Sequence, residues 1–244
     1  MLQTNHDWKQ PIQLTAALAL AAGIFWAAPA FAVTFSAPDG VSPTPPQPTR
    51  GGASRNGGQC SVESLATEGT PTPLLPENTD RVLTVADRPA FFVYVPKTTA
   101  TEASFTLKNH EDEIHYQTKV DLPESGGIIS IPLPETEAEL QVGNTYAWLF
   151  EIHCEPEFDP NNPTIVGSVQ RTSIDATVAR SLAEQTTVVE TAQIYGDAGI
   201  WYETLSTLAD ARIAQPNEPT LVENWQDLLV SAGLEAIASE PIVR

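Results

Sequence analysis

From Cys60 to about Thr172 apolar and polar positions alternate. In "EASFTLKN", Ala103, Phe105 and Leu107 alternate with Glu102, Ser104, Thr106 and Lys108. In "NTYAWLFEIHC", Tyr146, Trp148, Phe150, Ile152 and Cys154 share one face. "RVLTVAD", "AFFVYVP", "EIHYQTKV", "GIISIPL" and "PTIVGSVQR" are further β-branched and aromatic runs, bounded by turn residues. Successive side chains of a strand point to opposite sides, so each such run has one face to bury and one to wet. The pattern predicts about seven strands within residues 60–172, and hence an immunoglobulin-like β-sandwich.

After Ser173 the period lengthens. "SIDATVARSLAEQ" opens on residues suited to a helix start and carries Val178 and Leu182 on one side. Val188, Ala192 and Tyr195 continue at helical steps, and Gly199 breaks them. Trp201, Leu205, Leu208 and Arg212 then lie along one line before Pro216, and Leu221, Trp225, Leu228 and Leu229 before Gly233. Residues 173–244 are therefore expected to be helical, giving an α+β chain with a strand module followed by a helical hairpin or bundle. Gly199 and Gly233 are 34 residues apart (233 − 199). A helix-turn-helix unit of that length resembles a tetratricopeptide repeat, although Thr204 stands where such repeats carry Ala. An ordinary helical bundle fits the same pattern. Solenoids need at least about three units, so these helices should lean on the strands or on a partner.

The first 32 residues read differently. "LTAALALAAGIFWAA" (14–28) is an apolar run with Lys9 before it and Ala30-Phe31-Ala32 after it. A positive start, a short apolar core and an A-x-A box describe a signal peptide cut after Ala32. The run is shorter than the ~20 residues that span a bilayer, and no second apolar run is long enough to cross one. Residues 33–59, rich in Pro, Gly, Ser and Thr, read as a disordered linker, since large apolar residues nearly vanish after Phe35. The two cysteines, Cys60 and Cys154, are expected to form a disulfide in an exported chain. In the chain-entropy model a loop of that length stabilises by roughly 4–5 kcal/mol. Two buried free thiols are the alternative.

Charge narrows the partners. There are 12 basic and 31 acidic residues, a net of −19. Removing residues 1–32 takes away Lys9 and Asp7, so 11 against 30 remains −19. Nucleic-acid binding rests on neutralising phosphates with Lys and Arg, and this chain has no basic block. Its acidity serves solubility or attraction to cations and basic partners.

Few residues suggest chemistry. "HEDEIHY" gathers His110, Glu111, Asp112, Glu113 and His115, ligand types for a transition metal, at a point where a polar hairpin tip is the simpler account. "EFDPNNP" offers Asp159, Asn161 and Asn162, oxygen donors of the kind calcium takes, but without the spaced carboxylates and closing Glu of a calcium loop. Turn formation explains it better. No G-x-S-x-G elbow or phosphate-binding glycine loop is present. With 30 carboxylates outside the leader, pairs suited to acid–base work arise by chance. Arg81, Arg88 and Arg171 flank strands and are expected to pair with carboxylates. Trp201, Tyr202 and Trp225 either pack in the core or anchor a protein partner.

The segments "C…LATEGTPTPLLPE", "LTVADRPAFFVYVP", "LQVGNTYAWLFEIHC", "VQRTSI" and "YGDAGIWYETLSTLADAR…NWQDLLVSAGLEAIASEPIV" together resemble a cyanobacterial family known only as domain of unknown function 928. The resemblance runs from Cys60 to the end of the chain. It implies an exported protein with a Pro- or Gly-rich spacer and the same two-part layout. It supplies no activity, cofactor or catalytic residue. The expectation is a non-catalytic scaffold or protein-interaction module of the periplasm or cell envelope, with no cofactor, metal or catalytic residue and with an envelope protein as partner. The competing expectation is a carboxylate-rich ligand- or glycan-binding protein, or a hydrolase, with its site where strands and helices join.

Overall fold

Each of the seven alternating runs forms a strand, and two further strands flank them. The computed structural model describes residues 1, 32–38, 70–77, 79, 81–154 and 162–243. The strands are β1 (Thr72–Pro73), β2 (Leu83–Thr84), β3 (Ala90–Val95), β4 (Glu102–Lys108), β5 (Ile114–Asp121), β6 (Gly127–Pro132), β7 (Thr145–Ile152), β8 (Thr164–Arg171) and β9 (Ile242–Val243). They make a four-stranded sheet in the order β1-β3-β6-β9 and a five-stranded sheet in the order β2-β8-β7-β4-β5. All pairs are antiparallel except β2 with β8 and β6 with β9.

The alternation decides which side is buried. Ala103, Phe105 and Leu107 of β4 and Tyr146, Trp148, Phe150 and Ile152 of β7 are all buried. Phe91 of β3 reaches this layer from the other sheet, its ring 4.9 Å from Phe105 and 6.1 Å from Trp148. The two sheets thus share one core. At the entrance to β7 the Tyr146 hydroxyl accepts the backbone N–H of Gln141 at 2.9 Å, tying the strand to the chain that leads into it. Tyr146→Phe keeps the ring and orphans that N–H, so a loss of about 1–2 kcal/mol in urea unfolding is expected. An unchanged midpoint would show that water replaces the bond.

Four helices follow: α1 (Ala176–Ala183), α2 (Val188–Asp197), α3 (Trp201–Ala214) and α4 (Pro219–Ser231). Their boundaries have local causes. Asp175 caps α1 by accepting Thr177 N–H at 2.7 Å. Thr187 and Glu190 cap α2 through Glu190 N–H to Thr187 Oγ1 at 3.2 Å, and Pro219 starts α4. Gly199 and Gly233 have φ of +70° and +84°, a left-handed conformation that glycine adopts without a Cβ penalty. Each follows a helix and closes it with the same pair of bonds. Gly199 N–H donates to Gly196 O and Ile200 N–H to Tyr195 O, while Gly233 N–H donates to Val230 O and Leu234 N–H to Leu229 O. The 34-residue spacing is thus a repeat of one helix stop. After Gly199 the chain makes α3, but after Gly233 it makes one short turn, Glu235–Ile237, and then β9.

The expectation of a wholly helical tail needs this correction: its last residues return to the four-stranded sheet, Ile128 facing Ile242 and Ile129 facing Val243. A second correction concerns the expected linker. Residues 33–38 are docked, with Val33 and Phe35 buried and Thr34 exposed. The described residues from 32 to 243 belong to one compact unit. The remainder of the expected linker, residues 39–59, and Cys60 lie outside the described residues.

Candidate functional site

The outer side of the five-stranded sheet is ordered by register. Val166, Leu149, Thr106 and Gln117 face one another across β8, β7, β4 and β5, and Thr164, Glu151, Ser104 and Lys119 form the next row. These are the polar-side positions of the alternation, opposite buried Phe105, Trp148 and Phe150.

A hydrogen-bonded set sits at the end of this face. His153 follows β7 directly, and its own N–H donates to the Glu102 carbonyl. Its ring Nδ1 lies 3.2 Å from Glu102 Oε1 and its Nε2 3.2 Å from Ser104 Oγ. Lys119 Nζ donates to both oxygens of Glu102, at 2.8 and 3.0 Å. The Lys119 hydrogen bond, aided by His153, holds the Glu102 carboxyl below its ordinary range. The order hydroxyl–imidazole–carboxylate is the one in which a base can take a serine proton while an acid orients the ring. Sequence reasoning missed this set. Glu102 and Ser104 stand two apart on the polar side of β4, but the strand pairing that brings His153 and Lys119 beside them is not local.

The join between strands and helices is built from consecutive residues of α3. Trp201 Nε1 donates to Leu74 O at 2.8 Å. The Tyr202 hydroxyl donates to Ser168 O at 3.0 Å and accepts Trp148 Nε1–H at 3.1 Å. Glu203 Oε1 accepts Thr84 Oγ1–H at 2.7 Å, Val85 N–H at 3.0 Å and Ala86 N–H at 2.8 Å. Burial pushes the Glu203 carboxyl upward against these bonds. Its second oxygen, Oε2, is buried without a partner. Aromatic side chains therefore fill the join expected to hold a ligand.

The other expected site residues are placed as follows. Trp201, Tyr202 and Trp225 are all buried. Trp225 lies beneath the Arg212 guanidinium, 5.4 Å from ring centroid to Cζ. Of the two readings open to them, their burial agrees with core packing: Phe35 and the Leu74 carbonyl cover Trp201 on α3, and Trp225 lies on α4. The His/acid run forms the β4–β5 hairpin tip. Asn109 Oδ1 accepts Glu111 N–H and Glu113 N–H, and Lys108 pairs with Asp112 at 2.9 Å. His115 turns away to Ala138 O at 2.8 Å. Among the described residues no three His, Cys, Asp or Glu are placed to hold a metal ion. Asp159 and Asn161 lie outside the described residues. Asn162 is buried, its amide accepting Cys154 N–H and donating to Glu151. Arg88 pairs with Asp87 and Glu139 as expected. Arg171 instead donates to the Leu140 carbonyl, and Arg81 makes no ion pair among the described residues. The sulfur of Cys154 is bonded and not a free thiol. No helix among the described residues is long and apolar enough to cross a membrane.

The sequence model of the family described as Domain of Unknown Function (DUF928) matches residues 50–242. The chain belongs to the DUF928 family. The match takes in β1 to β8, all four helices and the first residue of β9. Among curated proteins none matches the chain.

Proposed function

We propose that this DUF928 chain is exported to the periplasm or beyond and works there as a non-catalytic interaction module. The inward packing of Trp201, Tyr202 and Trp225 carries this reading. The helices brace the sheets, which leaves the outer side of the five-stranded sheet and its free edge β5 as the surface for an envelope protein. Val166 is 56% and Ile114 60% exposed there, and a strand edge offers unpaired backbone groups to an extended segment. The strand order and the Tyr146 bond support an immunoglobulin-like sandwich. The α2–α3 hairpin with its repeated stop supports a tetratricopeptide-like unit. Cys60 is the partner we propose for Cys154, which has no other cysteine in the chain to pair with.

Capture from envelope extract tests the reading. The wild-type chain is expected to retain a discrete protein that Val166→Glu, with an unchanged melting temperature, releases. Equal capture by both chains removes the proposed face.

One observation favours a second reading. The Ser104–His153–Glu102 geometry is that of an acyl-transferring hydrolase. A fluorophosphonate probe decides between the two. No adduct on Ser104 is expected, whereas an adduct lost in His153→Ala would replace the binding role with catalysis.

A further inference from the structure

The A-x-A box ends at Ala32, and the docked segment begins at the next residue. Ala32 is exposed, while Val33 is 0% exposed. Val33 N–H donates to Asn224 Oδ1 at 2.9 Å. Asn224 is itself 4% exposed and is held by its Nδ2 bond to Thr220 O at 2.8 Å. Farther along, Thr34 N–H donates to Gln193 Oε1 at 3.2 Å, Phe35 N–H to Ser231 Oγ at 2.9 Å and Ser36 N–H to Gly196 O at 3.1 Å. The Phe35 ring stands edge-on to Trp201 at 5.0 Å. A Cβ at Gly196 would clash with Thr34 O, so the α2 surface is cut away for this segment. The groove thus holds the chain from Val33 to Ser36 by its backbone N–H groups.

We propose that the Ala32–Val33 peptide bond is a processing site that is cut before docking, and that Asn224 is the socket for the new amino terminus of Val33. This rests on the export reading. Water adds across the amide: Ala32 leaves with the leader as a carboxylate, and the Val33 nitrogen gains the protons of an ammonium. The enzyme class is a leader peptidase that selects small residues at the two positions of the box, with water as the only co-reactant. A protease needs the residues on both sides of the scissile bond extended and free. In the docked chain Val33 is buried and its N–H is bound, so the cut comes first. Afterwards a neutral N–H···O bond to Asn224 becomes a charge-assisted one, the stronger kind. The exposure of Ala32 places the nitrogen at the groove mouth, where its other protons meet water. Processing therefore tightens the strap.

N-terminal sequencing of the chain recovered from an exporting cell is expected to read Val-Thr-Phe-Ser. An exported chain that starts beyond Val33 overturns this inference and leaves export standing, whereas a chain retained in the cytoplasm with its leader overturns both. The socket has its own readout. The chain starting at Val33 is expected to melt about 2–4 °C above the same chain acetylated at that residue, and Asn224→Ala is expected to erase the difference. Because the difference is read within each background, a general weakening by Asn224→Ala does not obscure it. Equal melting of the free and acetylated chains refutes the socket. Folded leader-bearing chain should resist leader peptidase that cuts it in urea; equal rates refute the order of events.

Discussion

Trp201→Ala is expected to cost about 3–5 kcal/mol, the range for removing a buried tryptophan. The ring is fully buried, it meets Phe35 edge-on, and its N–H satisfies the Leu74 carbonyl. One truncation therefore loosens the N-terminal strap, the end of β1 and the helical layer together. Domains of this kind have about 5–15 kcal/mol of stability in all, so the variant should unfold at a much lower urea concentration. Trp201→Phe separates volume from hydrogen bonding. It refills most of the space and leaves Leu74 O unpaired, at a cost of about 1–2 kcal/mol. The two midpoints are read by circular dichroism. If alanine and phenylalanine cost the same, the hydrogen bond dominates and packing at this join has been overvalued.

Glu203 should give the second large effect. Its Oε1 is the common acceptor for one hydroxyl and two backbone N–H groups. Glu203→Ala removes that partner from buried Thr84 and half-buried Val85, while Ala86 N–H keeps its second acceptor, Thr84 Oγ1, and about 2–4 kcal/mol of stability should be lost, less than the sum of the separate bonds. Glu203→Gln keeps a carbonyl acceptor and removes the titration. Burial raises the folded-state carboxyl value above that of the unfolded chain, so the folded chain holds this proton more tightly. The resulting stabilisation is complete below the ordinary carboxylate range and is lost as pH rises through the raised value. Urea midpoints of the wild type should therefore decline across that window relative to those of Glu203→Gln. Parallel curves for the two chains would mean that the carboxyl stays ionised and that its three donors outweigh its burial.

What the sequence discloses follows the range of the forces involved. The strands β3 to β8 were legible because alternation is local and strong: Ala103, Phe105 and Leu107 are buried as their spacing requires. The helix stops at Gly199 and Gly233 were legible for the same reason. The strands β1 and β9 are two residues long, too short for any period, and only tertiary pairing creates them. Residues 33–38 read as linker because composition was averaged over a long segment, although Val33 and Phe35 already alternate with Thr34 and Ser36. Trp201 and Trp225 were each read on a helical apolar line, but periodicity cannot say what covers an apolar face. The Glu102–His153–Ser104 set was hidden because strand pairing brings residue 153 beside residues 102 and 104.

The pairing of β9 with β6 bears on how this molecule reaches its folded form. Ile242 pairs with Ile128 across 114 intervening steps of chain (242 − 128), and the strap at Val33 closes on Asn224. Closing such distant contacts is slow, because loop entropy is lost before the contact rewards it. The four-stranded sheet cannot be completed on the ribosome until its last strand has emerged. Until residues 242 and 243 have been made, the β6 edge of that sheet has no β9 beside it, and the sheet's final hydrogen bonds wait on the latest of its strands.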